Sequence, residues 1–142
     1  MSGKGEVKFI GLVKSVGEPS KIEIFPEFCL GLEGLSDFSH VIVLYWLHLR
    51  DDDKERGTLQ IVPRRHTDAP RVGVFASRSP SRPNPIGLCV VELNEIEGCI
   101  LVVNGLDALE GSPIIDIKPY FARADAIPKA SAPEWASRGA PT

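Results

Sequence analysis

Two arginines stand four residues apart in a proline-rich stretch, S-R-S-P-S-R-P-N-P-I-G at residues 77–87. The planar guanidinium groups of Arg78 and Arg82 suit carboxylates and phosphates, which they bind through paired hydrogen bonds. Three prolines within residues 80–85 fix the backbone φ and push each preceding residue into an extended conformation. The sequence therefore predicts a stiff, non-helical loop that loses little entropy on ordering and presents two cations to a ligand.

The charge distribution leaves two interpretations of these arginines open. The 142-residue chain has a formal net charge of −3, whereas residues 64–82 hold five arginines and one aspartate. Such a local basic patch could contact the phosphates of a nucleic acid, while an acidic remainder would limit non-specific binding. The alternative is a set of scattered, solvated arginines without a ligand.

Apolar runs at residues 72–76 and 88–93 predict buried strands on either side of this loop. Similar runs recur at regular spacing and predict about eight short strands. The predicted strands are residues 7–13, 21–25, 41–47, 58–62, 72–76, 88–93, 99–103 and 114–120. Residues 27–38 predict a short helix or helical turn. This pattern indicates an all-β sandwich or barrel, since the long crossover helices of a doubly wound sheet are missing.

The length of the chain fits one domain with a substantial core. We assign residues 1–125 to that domain and residues 126–142, rich in alanine and proline, to a surface tail that Pro133, Glu134 and Trp135 could anchor. No apolar run suits a membrane-spanning helix, and the N-terminus lacks the apolar core of a secretion signal. The three cysteines lie in apolar runs without C-x-x-C spacing, which favours buried, reduced thiols over a disulfide or a metal role. We therefore expect a cytoplasmic protein without membrane attachment.

Polar side chains outside the loop could also contact a ligand. His48 stands at a predicted strand end before a charged loop, although a structural role is the alternative for both His48 and His40. These histidines would lie about 26 Å apart on a strand, too far to share a metal ion, so we expect no metal. Asp116 and Lys118 lie on one side of a predicted strand, about 6.7 Å apart, where they could pair with each other or with a ligand.

Three longer blocks carry a family resemblance. They are G-L-S-D-F-S-H-V-I-V-L-Y-W-L-H at residues 34–48, G-V-F-A-S-R-S-P-S-R-P-N-P-I-G at residues 73–87, and L-D-A-L-E-G-S-P-I-I-D-I-K-P-Y at residues 106–120. With these blocks and their spacing, residues 7–125 resemble the TsaA-like family, also called YaeB or TrmO. Its characterised members are S-adenosylmethionine-dependent tRNA methyltransferases.

The resemblance implies a small, single-domain β-barrel of short strands with short helical turns, and a cofactor bound near a homodimer interface. It implies methyl transfer from S-adenosylmethionine to the exocyclic amine of threonylcarbamoyl-adenosine, next to the tRNA anticodon. By family likeness the cofactor contacts would be His48, Arg78, Leu88, Asn104, Gly105, Leu106 and Asp107. The substrate contacts that we predict are Arg82, Asn84, Lys118 and Tyr120. No catalytic base is assigned.

The chemistry of these residues fits the parts of the cofactor. Arg78 suits its carboxylate, Asp107 could accept hydrogen bonds from the ribose hydroxyls, and Leu88 could cover the adenine together with the Asn-Gly turn. The alternatives are a structural ion pair for Arg78 and a turn-capping role for Asp107.

The sequence departs from the family pattern in two places. Longer members carry a cofactor-binding segment with proline and glutamine after the first strand, where this chain has only residues 14–20. Bacterial members also grip tRNA with a separate C-terminal domain, so we expect the arginines of residues 64–82, or a partner, to do so here. These departures leave two other functions open. They are a non-catalytic S-adenosylmethionine- or RNA-binding module, and a methyltransferase of another small molecule.

Overall fold

The computed structural model describes residues 3–141, which form two compact units. The first contains residues 3–46 and 86–121, and the second contains residues 47–85 and 122–141. The strands in this part of the chain are β1 Gly11–Ser15, β2 Ser20–Ile24, β3 His40–Trp46, β4 Gln60–Ile61, β5 Val72–Gly73, β6 Ile86–Glu97, β7 Ile100–Asn104 and β8 Pro113–Pro119. The α-helices are α1 Asp53–Arg56 and α2 Ala122–Asp125, and the 3₁₀ helices are Pro26–Leu32, Leu35–Asp37, His48–Arg50, Val74–Ala76 and Glu134–Ser137. No helix within residues 3–141 combines the length and apolar character needed to cross a membrane.

Six strands of the first unit close into an antiparallel barrel in the order β1-β2-β7-β6-β3-β8. This closure confirms the prediction of a small all-β barrel with short helical turns. β3 lies between β6 and β8 and pairs with both, and on the β6 side the register runs from His40 opposite Glu92 to Trp46 opposite Ile86. A central strand can be apolar on both faces, as β3 is.

The inward-facing residues of the barrel form a core of branched aliphatic side chains. The most deeply buried are Val13, Ile22, Ile24, Val41, Val43, Val91, Leu101, Val103 and Ile114. Burial of each such side chain stabilises the fold by about 1.5–3 kcal/mol relative to exposure. Because side chains alternate along a strand, the residues between them point outward. On β3 these outward residues are also apolar: Ile42, Leu44 and Trp46.

The predicted strand at residues 72–76 is only partly formed. β5 contains its first two residues, and Val74–Ala76 turns into a 3₁₀ helix in which Val74 alone is buried. Ser77 closes this turn, because its backbone N–H and its hydroxyl both donate to the Val74 carbonyl, at 3.2 and 2.8 Å. The serine that begins the proline-rich stretch therefore ends the strand early.

β6 is longer than its predicted range. Residues 94–97, which lie between two predicted strands, continue the strand past an irregularity in pairing between Leu93 and Glu95. Gly98 then adopts a left-handed φ of 63° and begins the turn into β7. The reversal therefore falls at the residue that tolerates this backbone conformation best.

The second unit is built from short elements. β4 and β5 pair antiparallel, with Gln60 opposite Gly73. α1 lies in the charged segment after His48 that the sequence predicts as a loop. Its first turn is capped by Asp52, whose Oδ1 accepts the Glu55 N–H at 2.8 Å. An aspartate at this position stabilises a helix by about 1 kcal/mol.

The C-terminal tail returns to the segment that joins β4 to β5. The Trp135 ring packs edge-on against the His66 ring with centroids 5.4 Å apart. His66 Nδ1 lies 2.8 Å from the Arg138 carbonyl oxygen, and the Ala140 N–H donates to the Arg65 carbonyl at 2.9 Å. Trp135 therefore helps to anchor the tail, as the sequence predicts.

Two of the three cysteines form a disulfide, so the prediction of reduced thiols is wrong for them. Cys29 in the 3₁₀ helix Pro26–Leu32 is bonded to Cys99 in the turn between β6 and β7, with 5.5 Å between their Cα atoms. Cys89 is free and half-buried. The apolar sequence around Cys29 and around Cys99 does not indicate this pairing, because the two residues are 70 positions apart in the chain.

Reduction of this disulfide is expected to lower the free energy of unfolding by about 2–4 kcal/mol, because the bond restricts the unfolded chain. Urea unfolding followed by tryptophan fluorescence, with and without reductant, measures the difference. Cys89→Ser should remain sensitive to reductant, whereas the double variant Cys29→Ser, Cys99→Ser should be insensitive. Equal stability of the wild type under both conditions would contradict this expectation.

Candidate functional site

Residues 77–85, termed the arginine loop, are braced by their own serine side chains. Ser77 Oγ accepts the Ser79 N–H at 3.2 Å, and Ser79 Oγ accepts the Ser81 N–H at 3.2 Å. Bonds of this kind let side chains replace the backbone partners that a helix or strand would supply. Together with the prolines, these bonds order the loop through its own residues.

Arg82 is directed back onto the arginine loop. Its Nη1 donates to the carbonyl oxygens of Ser77 and Ser79, at 3.1 and 2.9 Å. One nitrogen of the guanidinium therefore braces the backbone. The predicted substrate contact of Arg82 depends on its other nitrogens.

Two side chains of α1 form hydrogen bonds with the arginine loop. The Ser81 hydroxyl donates to the Glu55 carboxylate, and Arg56 Nε donates to the Pro83 carbonyl at 2.8 Å. Arg56 also reaches the Asn84 side-chain oxygen at 3.5 Å. Asn84, a predicted substrate contact, thus has a protein partner on its oxygen, which leaves its amide N–H groups to face a ligand.

Arg78 differs from Arg82, because within residues 3–141 it makes neither a hydrogen bond nor an ion pair. Its side chain lines a cavity of about 680 Å³ in the second unit, termed the basic pocket. The cationic residues that line this pocket are Arg50, Lys54, Arg64, Arg65 and Arg78. Ser77, Ser79 and Ser81 of the arginine loop and His66 also contribute to its lining.

The basic pocket has a strong excess of positive charge. Glu55 supplies the one carboxylate among the described lining residues, and it already pairs with Arg50 at 3.4 Å and accepts the Ser81 hydroxyl. Lys54 and Arg64 resemble Arg78 in having no ion-pair partner in the part of the chain that the structure describes. A cavity lined in this way attracts carboxylates and phosphates.

On the barrel, the turn at residues 104–107 is tied to two strands. Gly105 has a φ of 88°, in agreement with the predicted Asn-Gly turn. The Tyr45 hydroxyl of β3 donates to the Asp107 carbonyl, and the Cys89 thiol of β6 lies 3.1 Å from the Gly105 carbonyl oxygen. The backbone groups of this turn are therefore held in place.

Gly87 makes the contact of Tyr45 with the turn possible. A Cβ atom on Gly87 would lie 2.5–2.9 Å from two ring carbons and the hydroxyl oxygen of Tyr45. Because glycine leaves this space open, the ring lies against β6 and its hydroxyl reaches Asp107.

Burial is the main cause that raises the pKa of the Cys89 thiol above its usual value. The thiol therefore stays protonated at neutral pH and acts as a hydrogen-bond donor to the turn, while a reactive cysteine would need a lowered pKa.

The remaining predicted contacts of the first unit lie on the barrel surface or at strand ends. Leu88 points outward from β6, opposite Leu44 of β3, and is 46% exposed. The Asn104 side-chain nitrogen lies 3.3 Å from oxygens of both Glu92 and Asn94 on β6. Asn104 therefore already has partners within the barrel.

Lys118 lies near the C-terminal end of β8, and Tyr120 directly follows this strand. Lys118 Nζ pairs with Asp116 at 2.9 Å, the first of the two partners that the sequence leaves open for it. The Tyr120 ring lies 6.4 Å from the His40 ring, measured between centroids.

The structure thus divides the predicted site residues between its units. The second unit holds His48, Arg78, Arg82 and Asn84. The first unit holds Leu88, Asn104, Gly105, Leu106, Asp107, Lys118 and Tyr120. Their roles in binding stay predictions. Within residues 3–141 no three His, Cys, Asp or Glu side chains are grouped so that they could hold a metal ion.

A second cavity, of about 700 Å³, lies in the first unit and has no counterpart in the sequence analysis. Apolar side chains of the 3₁₀ segments form much of its lining, together with the acidic residues Glu27, Glu33 and Asp116. Its mixed acidic and apolar character does not suit the carboxylate or phosphate groups that the basic pocket would attract.

Sequence reasoning missed the contribution of α1 to the site. The pattern Asp52-Asp53-Lys54-Glu55 places a capping aspartate three residues before a glutamate, which is a signal for a helix start. That signal could have revealed the helix. The contacts of Glu55 and Arg56 with the arginine loop are tertiary and have no local sequence signature.

Most of the chain is similar to known proteins. Residues 13–126 match the family model described as the tRNA-methyltransferase O N-terminal domain. A probable S-adenosyl-L-methionine-binding protein of Methanothermobacter thermautotrophicus is 54% identical over 110 residues, which cover 78% of this chain and 75% of that protein. An S-adenosyl-L-methionine-binding protein of Archaeoglobus fulgidus is 50% identical over 108 residues, which cover 76% of this chain and 73% of that protein.

A bacterial relative and a solved structure extend the comparison. The tRNA (adenine(37)-N6)-methyltransferase of Escherichia coli is 41% identical over 127 residues, which cover 86% of this chain and 53% of that protein. The crystal structure of TrmO from Pseudomonas aeruginosa matches with a TM-score of 0.73 at 30% identity, covering 94% of this chain and 62% of that one. The chain therefore spans less than two thirds of either bacterial protein.

Arg82→Ala is expected to loosen the arginine loop, because it removes two hydrogen bonds from the loop backbone. Loss of about 1 kcal/mol of local stability would speed amide hydrogen exchange across residues 77–82 roughly fivefold. Arg71→Ala, at an exposed arginine outside the loop, is the matched control and should leave this exchange unchanged. Unaltered exchange in Arg82→Ala would show that the loop is ordered without the contribution of Arg82.

Proposed function

Because the chain belongs to the tRNA-methyltransferase O N-terminal domain family, we propose that it is an S-adenosylmethionine-dependent tRNA methyltransferase. The observation that carries this proposal is the family match over residues 13–126, which includes the whole arginine loop. We propose further that the acceptor is the exocyclic amine of threonylcarbamoyl-adenosine next to the anticodon, as the family resemblance implies. A cytoplasmic location belongs to the same proposal.

We propose that Arg78 binds the carboxylate of S-adenosylmethionine. When bound, this cofactor supplies the methyl group from its sulfonium. The support is that Arg78 lines the basic pocket and has no partner within residues 3–141. A guanidinium can bind a carboxylate through two parallel hydrogen bonds. His48, in the same unit, is a further proposed contact.

The nucleoside part of the cofactor is proposed to contact the barrel residues. Leu88 offers an exposed apolar surface to the adenine, and the backbone groups of the 104–107 turn can donate to or accept from its edge. Asp107 has an exposed side chain whose carboxylate suits the ribose hydroxyls. The hydrogen bonds from Tyr45 and Cys89 support this assignment, because they fix the turn before binding.

The protein contributes to the reaction mainly by positioning. Alignment of the reacting groups and exclusion of water can supply about 7–11 kcal/mol of a barrier. A braced loop and a fixed turn suit that task, because little further ordering is needed when ligands bind. Arg82, Asn84, Lys118 and Tyr120 are the residues proposed to orient the acceptor.

A non-catalytic S-adenosylmethionine-binding module is the second candidate function. The archaeal relatives favour it, because those of Methanothermobacter thermautotrophicus and Archaeoglobus fulgidus are named as binding proteins and not as transferases. The short connection between β1 and β2 also suits a reduced set of cofactor contacts.

Incubation with methyl-labelled S-adenosylmethionine and tRNA separates these functions. We expect transfer of label to tRNA that carries threonylcarbamoyl-adenosine and none to the same tRNA without that modification. Cofactor binding by calorimetry with no transfer to any RNA would reject the enzyme in favour of the binding module. Transfer to small molecules of an extract but not to tRNA would replace the proposed acceptor.

We propose that the protein acts as a homodimer through the outer surface of β3 and β6, termed the apolar face. Three apolar pairs lie opposite one another on it: Ile42 and Val90, Leu44 and Leu88, Trp46 and Ile86. The three β6 residues are 38–46% exposed. Contiguous exposed apolar surface of this kind marks interaction sites, and a second copy is the partner that the family resemblance implies.

Val90→Glu is expected to convert the dimer into a monomer, because it places a charge within the apolar face. Sedimentation velocity measures the change in mass. Val16→Glu is the matched control, since Val16 is 50% exposed and lies outside this face whereas Val90 is 44% exposed. A wild-type protein that sediments as a monomer would rule out the proposed dimer.

Arg78→Ala is expected to weaken S-adenosylmethionine binding by about 1.5–3 kcal/mol, the contribution of a hydrogen bond to a charged group. Titration calorimetry measures the affinity, with Arg71→Ala as the control for a general loss of positive charge. Equal affinities of Arg78→Ala and the wild type would assign Arg78 a role apart from the cofactor.

A further inference from the structure

The basic pocket holds more cations than the carboxylate of one S-adenosylmethionine molecule requires. Lys54 and Arg64 line it in addition to Arg78, and none of the three has an ion-pair partner within residues 3–141. The Glu55 carboxylate is already shared between Arg50 and Ser81. A single bound carboxylate would therefore leave most of the positive charge in the pocket uncompensated.

Several cations around one cavity can compensate several of the single negative charges along a phosphodiester chain. Each backbone phosphate carries one negative charge, and lysine and arginine neutralise such charges without regard to base sequence. The serine hydroxyls that line the pocket can add neutral hydrogen bonds to phosphate oxygens. The volume of about 680 Å³ is large enough for more than one small anion.

The wall that carries Arg64 is held by the C-terminal tail. The next residue, Arg65, accepts the Ala140 N–H through its carbonyl, and His66 contacts Trp135 and the Arg138 carbonyl. A cation on a fixed segment loses less entropy on binding than one on a mobile loop. The pocket is thus preorganised at this wall as well as at the arginine loop.

An exposed aromatic residue precedes the arginine loop by two positions in the sequence. Phe75, in the 3₁₀ helix Val74–Ala76, is 77% exposed. Proteins that bind single-stranded RNA combine backbone cations with aromatic rings on which unpaired bases stack. Phe75 therefore favours an RNA loop over a duplex or a free phosphate as the ligand.

We propose that the basic pocket binds consecutive backbone phosphates of the anticodon loop through Lys54 and Arg64, with an unpaired base stacked on Phe75. This inference rests on the proposed tRNA methyltransferase function and extends it to how RNA is held. Since Arg78 lines the same pocket, the RNA backbone lies next to the residue proposed for the cofactor carboxylate.

Fluorescence polarisation of the full chain with a labelled anticodon stem-loop RNA tests the proposal. The double variant Lys54→Ala, Arg64→Ala should bind about tenfold more weakly than the wild type. The slope of log K against log salt should also become shallower by about 1.4, since each phosphate contact to a single strand contributes about 0.7. The double variant Lys129→Ala, Arg123→Ala removes the same charges from exposed positions outside the pocket and should stay within about twofold of the wild type.

Phe75→Ala gives an independent readout, because the ring is exposed and its removal should not affect folding. Loss of one stacked base should weaken RNA binding at least about fivefold without changing the salt slope. Leu59→Ala, at an apolar side chain of the same unit that is 59% exposed, is the control and should bind normally.

Equal RNA affinity of the two double variants would overturn the proposal. Displacement of the RNA by inorganic phosphate or adenosine monophosphate, at an equal concentration of phosphate groups, would assign the pocket to a small phosphate ligand and also overturn it. If the wild type methylates tRNA while Lys54→Ala, Arg64→Ala binds RNA normally, this inference fails alone. If the wild type binds RNA through Lys54 and Arg64 but transfers no methyl group, the proposed function fails alone.

Discussion

Close approach of the Tyr45 ring to the backbone of Gly87 is the constraint on which the barrel side of the site depends. A side chain at residue 87 would occupy the space of the ring. With that space open, the ring bridges two neighbouring strands and its hydroxyl holds the Asp107 carbonyl. The position of the 104–107 turn is therefore set by β3 and β6, whose register is in turn fixed by the buried valines between them. The backbone of this irregular turn is therefore held as firmly as the two strands to which it is hydrogen-bonded.

The second unit reaches the same order by polar contacts in place of packing. Serine hydroxyls and one nitrogen of Arg82 satisfy the backbone of the arginine loop, and α1 adds contacts from Glu55 and Arg56. Two arginines of one motif consequently have different physical roles. Arg82 reduces the freedom of the loop, whereas Arg78 supplies a charge that the described protein groups do not neutralise.

The elements that sequence could predict are those decided by local pattern. The apolar alternation of β3 and the Asn-Gly turn needed no distant partner, and both are present. The bond between Cys29 and Cys99 could not be predicted, because its proximity is created only by barrel closure. The arginine loop was predicted as a site from residue chemistry. The sequence could not show that Arg82 faces its own loop or that Lys54 lines a pocket with Arg78, since both depend on how α1 and the loop pack.

The contacts of the C-terminal tail show that the basic pocket depends on residues beyond the end of the barrel and of the family match. The last barrel strand ends at Pro119, and the family match ends at residue 126. Trp135, Arg138 and Ala140 lie beyond both limits and still support the wall of the basic pocket. A fragment that ended with the family match at residue 126 would keep the last barrel strand and lose the support of that wall. The residues that build the barrel and the residues that complete the basic pocket therefore end at different positions along the chain.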